Sequence, residues 1–192
     1  MKKGFTIVEV SILFVIFIIV AFLVAPLSID DTVQAKNTSK WRVVQQEFTN
    51  IYSSIISEDN ATSLPFSANF ETIINNDVKE TIKPYRIKLM NNTLPESLYT
   101  FNDYKSTFSG ATIAFKFFEK PIEESIGIVM YDVNGKAGPN VWGKDVFGLN
   151  LYKDHFEPFG KSKPIGIQRQ DCSKDGSGKF CSNYYLIGGG FD

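Results

Sequence analysis

Met1-Lys2-Lys3-Gly4-Phe5-Thr6-Ile7-Val8-Glu9-Val10 opens the chain, and SILFVIFIIVAFLVA carries it on to residue 25. From Phe5 onward these 21 residues have only Thr6, Glu9 and Ser11 as polar interruptions. As a helix rising 1.5 Å per residue the run is about 31 Å long, a match to a hydrocarbon core of roughly 30 Å. It predicts a membrane-spanning helix over residues 5–25. Lys2 and Lys3 precede the run and Asp30 and Asp31 follow it, which orients the amino terminus to the cytoplasm. The expected location is the inner (cytoplasmic) membrane, single-pass, with the rest of the chain outside the cytoplasm. Two plainer alternatives are a secretory signal peptide cut near Val33-Gln34-Ala35 and a simple anchor. The apolar run exceeds the 7 to 15 residues usual in a signal peptide. Neither alternative accounts for Glu9, because a charged side chain near mid-bilayer costs roughly 2.5 to 3.5 kcal/mol and needs a partner. No basic residue lies within the run. A free α-amine at Phe5, created by a cut after Gly4, would supply a partner in a neighbouring chain.

Lys2-Lys3-Gly4 followed by Phe5-Thr6-Ile7-Val8-Glu9-Val10 resembles the leader junction of type IV prepilins and of type II secretion pseudopilins, and Pro26 stands where that family commonly has a kinking proline. The resemblance implies cleavage between Gly4 and Phe5 by prepilin peptidase, methylation of the new Phe5 terminus, and assembly guided by Glu9. It implies an α+β, pilin-like fold, with a long N-terminal membrane-spanning helix packed on a C-terminal antiparallel sheet domain. The organisation would be a cleaved leader at 1–4, a transmembrane and assembly helix at 5–25, its amphipathic continuation at 26–57 and an extracytoplasmic domain at 58–192. Implied partners are homologous pilin or pseudopilin subunits, prepilin peptidase, the inner-membrane assembly platform and the lipid bilayer, with the filament in the periplasm or on the cell surface. The function expected is that of a structural subunit of a type IV pilus or type II secretion filament. The alternative is a monomeric membrane-anchored or secreted ligand-binding domain.

The remaining sequence has the mixed composition of a water-exposed domain. Twenty Lys and Arg against 21 Asp and Glu leave a net charge of −1, so no global field draws in a nucleic acid. His155 is the only imidazole and there are two cysteines, which leaves too little for a catalytic triad or a multi-cysteine zinc site, and no enzyme is expected. Apolar residues at Trp41, Val44, Phe48, Ile51, Tyr52, Ile55 and Ile56 recur in steps that mark one helical face. FETIINN suggests a short helix, and KETIKPYRIKLM an element broken at Pro84. ATIAFKFF alternates with period two, SIGIVMYDV is nearly continuous in apolar character, and VFGLNLY follows; these predict three strands. IGIQR and NYYLI are read as two more.

Between the second and third of those strands, Asp132, Asn134, Asn140 and Asp145 offer oxygen ligands in a glycine-rich loop. Such a set suits calcium, although the spacing is not that of an EF-hand. The loop also resembles a D-x-N-G…P-N-x-x-G-x-D-x-F stretch of pilin-like proteins, some of whose relatives bind calcium. A metal-free alternative is equally physical, since Asn-Gly turns and Asx caps hold such loops without an ion. Cys172 and Cys181 enclose eight residues rich in Gly and Ser, a span that a disulfide closes readily outside the cytoplasm. Gly176-Ser177-Gly178-Lys179 fails as a phosphate loop, because Phe180 stands where Ser or Thr is needed.

Overall fold

The computed structural model describes residues 6–59, 66–83, 85–91 and 104–190. The chain forms two compact units, Met1–Lys36 and Asn37–Asp192. Helix α1 (Ile7–Asp59) begins in the first and ends in the second. In the first unit the apolar side chains from Ile7 to Phe22 are exposed around the whole helix.

Among the described residues no helix is long and apolar enough to cross a membrane. This corrects the expected architecture with a membrane-spanning helix, and with it the single-pass inner-membrane location and its cytoplasmic amino terminus. The amino-terminal stretch of α1 whose side chains are described covers residues 7–22. At 1.5 Å per residue that is about 24 Å, short of the roughly 30 Å core, and it includes Glu9.

The second unit is built on a six-stranded antiparallel sheet in the order β1 (Val78–Ile82), β2 (Tyr104–Thr107), β3 (Thr112–Ile122), β4 (Ser125–Asp132), β5 (Val146–Leu151) and β6 (Phe156–Pro158). Strands adjacent in the sheet are also consecutive in the chain. Alternation sorts the side chains: Ile113, Phe115, Phe117, Val129, Phe147, Leu149 and Leu151 face one way. Trp41, Val44, Phe48 and Tyr52 of α1, and Phe70 and Ile74 of α2 (Phe66–Asn76), cover that face. The opposite face carries Ile82, Ala114, Ile128, Met130 and Val146, covered by Leu89, Trp142 and Phe159. With both faces covered, β4 has apolar residues at successive positions, the pattern of a doubly buried strand. Gly148 leaves the space that the Phe159 ring occupies.

The two segments read as further strands are helical. Residues 165–169 lie in α3 (Ile165–Asp171), and residues 183–187 begin in α4 (Cys181–Tyr184) and leave it in turns. The apolar alternation in IGIQR has a different origin: α3 turns Gln168 inward, 3% exposed, and leaves both isoleucines outside. Gln168 is held from both sides, its amide donating to the Lys163 carbonyl at 2.7 Å and its oxygen accepting from Asn183 at 2.9 Å. The Cys172–Cys181 disulfide joins the end of α3 to the start of α4, with Cα atoms 5.3 Å apart.

Trp41 ties these parts together. Its ring stacks on Phe147 of β5, centroids 4.9 Å apart, and its indole N–H donates to the Ser182 carbonyl in α4 at 2.8 Å. Trp41→Ala should destabilise the domain by about 3 to 5 kcal/mol, through the emptied volume and the carbonyl left without its donor. Trp41→Phe, which keeps a ring, should cost about 1 to 3 kcal/mol. Denaturant unfolding of the two variants checks the order.

Candidate functional site

Gly4 and Phe5, the expected processing site, lie outside the described residues. Glu9 is described, and it has a local partner. The Thr6 backbone N–H donates to Glu9 Oε2 at 2.8 Å and the Thr6 hydroxyl donates to the same oxygen at 3.0 Å. The Glu9 N–H donates back to Thr6 Oγ1 at 3.3 Å. This is a capping box, with Thr6 as the residue before the first turn and Glu9 three positions on. It satisfies N–H groups that the start of a helix leaves open, and it sets a carboxylate where the helix dipole favours one. The signal was present in the sequence as Thr6-Ile7-Val8-Glu9. Treating Glu9 only as an isolated charge in an apolar run hides it.

The loop from Asp132 to Asp145 carries the second group of candidate residues. Both carboxylates are fully buried. Asp145 Oδ1 accepts from the Val141 N–H at 2.6 Å, and Oδ2 from the Asn140 N–H at 2.8 Å. Asp132 Oδ2 accepts from the Tyr85 hydroxyl at 2.7 Å, and Oδ1 from the Asn134 N–H at 3.3 Å. Asn134 is not in a hairpin turn: it precedes a short 3-10 turn, Gly135–Ala137, and its amide donates to the Gly138 carbonyl at 2.9 Å. Two amide oxygens, Asn134 Oδ1 and Asn140 Oδ1, are buried without a hydrogen-bond donor. The loop is clamped from α1, where Lys40 donates to the Val133 carbonyl at 3.0 Å and Asn37 to the Lys144 carbonyl at 3.2 Å. Tyr85 was not anticipated, since nothing in the spacing from 85 to 132 announces the contact.

Burial pushes the Asp132 carboxyl up to about 7; the neighbouring Asp145 adds to this and the Tyr85 hydrogen bond opposes it. Burial raises Asp145 as well, against the hydrogen bonds from Val141 and Asn140. Two desolvated carboxylates beside two amide oxygens without donors form a donor set that suits a hard divalent cation. Asp132, Asn134, Asn140 and Asp145 would hold calcium there, and its charge would neutralise the carboxylates. Among the described residues no group of three or more His, Cys, Asp or Glu side chains could hold a metal, so the acidic part of the set is limited to two. The loop's own N–H donors already satisfy both carboxylates in part, and this is what the metal-free alternative requires.

Cys172 and Cys181 form the disulfide and no described cysteine is free. The loop they close is organised by Asp171, which accepts from the Ser177 N–H at 2.9 Å, the Ser177 hydroxyl at 2.6 Å and the Phe180 N–H at 2.8 Å. His155 stacks on Tyr152 and lies 2.7 Å from Asp154. Compared with protein-family models, curated proteins and solved structures, the chain matches none.

Millimolar calcium should raise the thermal midpoint, by about 2 to 4 °C for each kcal/mol of binding linkage in a chain of this size. A midpoint that stays put between calcium and chelator assigns the loop to its metal-free form. With chelator present, the folded state holds a proton on Asp132 that the unfolded chain releases near pH 4. Stability should therefore fall as pH rises from about 4 to about 7 and level off above it, and Asp132→Asn should flatten that slope.

Proposed function

We propose that the chain is a filament subunit of the type IV pilin or pseudopilin kind, which assembles with further copies through the amino-terminal part of α1. The observation that carries this reading is the exposure of Ile7, Val8, Val10, Ile12, Leu13, Phe14 and the apolar residues after them up to Phe22. Soluble monomers rarely leave continuous apolar surface of this extent in water. Bundling such helices removes that surface from water at roughly 25 cal/mol per Å². The residues around Gly4 and Phe5 support processing by prepilin peptidase, which would place a new α-amine next to Thr6. Glu9 would then exchange its hydrogen bonds with Thr6 for the amine of a neighbouring chain. That exchange needs no new charge in the bundle, because the carboxylate and amine neutralise each other.

The amino-terminal mass of the protein recovered from its own host tests this directly: the expected start is an N-methylated Phe5. Met1 left intact would overturn the assignment. Glu9→Val should leave the level and melting of the domain unchanged while lowering fibre content at least about tenfold, the effect of about 1.4 kcal/mol per contact. Normal fibre content in that variant would remove Glu9 from assembly.

A further inference from the structure

Two exposed features of the sheet domain complement each other in charge and in apolar character. The first is α3. Its inward side chain is polar Gln168, while Ile165 is 65% and Ile167 46% exposed. The helix is thus reversed, with its aliphatic side chains in water. Lys163, Arg169 and Lys174 stand along the same segment and are exposed. Of the two carboxylates on this stretch, Asp171 is taken up by the hydrogen bonds that organise the disulfide loop and Asp175 is exposed beside Lys174, so the three cations leave the segment positive.

The second feature is the β3–β4 hairpin tip. Ile122 is 58% exposed, with Glu119 and Lys120 before it and Glu123 and Glu124 after it, all in water, so the tip carries three carboxylates against one ammonium. The turn places Glu123 at φ 49° and Glu124 at φ 68°. A turn with both central residues at positive φ favours Asn-Gly, and two glutamates there are held against their backbone preference. Strain retained at an exposed tip points to a use for the side chains that occupy it.

We infer that the hairpin tip of one copy docks on α3 of a second copy, Ile122 against the two isoleucines and Glu123 and Glu124 against Lys163 and Lys174. The inference rests on the filament reading and names a contact between the sheet domains, separate from the bundling of α1. Because the tip and α3 are different surfaces, the contact is heterologous. Repeated, it builds an open helical array unless its rotation happens to close a ring. Charge complementarity sets the register and rejects wrong pairings, and burial of the isoleucines supplies the apolar contact.

The test is a charge exchange in the full-length chain, read as fibre content in its own host, with the domain's melting curve as a check on folding. Glu123→Lys with Glu124→Lys should lower fibre content about tenfold or more, and so should Lys163→Glu with Lys174→Glu. All four substitutions together should restore it to within about threefold of the starting chain, since the pairing is re-formed with its signs reversed. Glu123→Asn with Glu124→Gly separates contact from fold: the favoured turn pair should raise the melting midpoint while fibre content still falls. Fibre content unchanged in both charge-reversed pairs overturns this contact and leaves the filament reading standing. A four-fold variant as defective as either pair also overturns it. A starting chain that forms no fibres at all overturns the filament reading, and the contact with it.

Discussion

The sheet domain depends on the buried indole of Trp41. Trp41 is the point at which α1, β5 and α4 meet: its face stacks on Phe147 and its N–H donates to a carbonyl of α4. A Phe or Leu at that position could fill space against the sheet, but neither could satisfy the Ser182 carbonyl, which is shut away from water. The rest of the α1 stripe follows from that anchor. Val44, Phe48 and Tyr52 come inward at helical spacing, and Tyr52 donates to the carbonyl of Tyr152 beyond the end of β5. Helix and sheet are thus held at two levels by an aromatic side chain with a polar tip, so sliding α1 along the sheet would break a hydrogen bond as well as a packing contact.

The Asp132–Asp145 loop and the disulfide loop are one assembly rather than two. Gly143 has φ 77°, and a Cβ there would come within 2.7 Å of Cys181 Sγ and 2.8 Å of the Gly178 carbonyl. Gly178, at φ 83°, lies against the Trp142 carbonyl in turn. Residues 85–91 join from a third side, with the Lys88 N–H donating to the Asn140 carbonyl and the Trp142 N–H to the Lys88 carbonyl. Two glycines therefore permit a backbone approach that side chains would prevent. The disulfide then limits how far that approach can relax. Any ion in the loop would act on a region already fixed by covalent and backbone contacts, and would change its electrostatics more than its shape.

What the residues disclosed in advance follows a physical division. The strands β3, β4 and β5 were legible because burial on one or both faces leaves a period-two or continuous apolar record, and the helix at 70–76 showed its own spacing. The inward stripe at Trp41, Val44, Phe48 and Tyr52 was legible for the same reason. The segment at 165–169 misled because its apolar residues face water, so their spacing records exposure and not a core. The Cys172–Cys181 pairing could be read from a short flexible span, whereas the contact of Tyr85 with Asp132 joins residues 47 apart and leaves no periodic trace. The Asn134-Gly135 pair carried the signal of a hairpin turn, yet the buried Asp132 carboxylate accepts the Asn134 N–H, the Asn134 amide donates to the Gly138 carbonyl, and the stretch forms a 3-10 turn. The membrane-spanning expectation rested on apolar length alone, and the described part of α1 does not supply enough of it.

Glu9 brings the local and the collective levels together. In the single chain it stabilises the start of α1 through Thr6, at the cost of holding a carboxylate beside an apolar run. Every donor it uses there belongs to one exposed residue, so the arrangement opens readily: water can replace those hydrogen bonds. In the proposed filament, a cationic amine from a second chain would offer a charge-assisted bond, roughly twice as strong as a neutral one, in surroundings that bundling would dry. In the filament proposed above, the carboxylate would be satisfied before assembly and better satisfied after it, whereas a neutral residue at position 9 would make the exposed apolar run equally adhesive to any copy in any register. On that proposal, selectivity would come from the difference between those two satisfied states and not from the apolar surface, which would supply the attraction without the alignment.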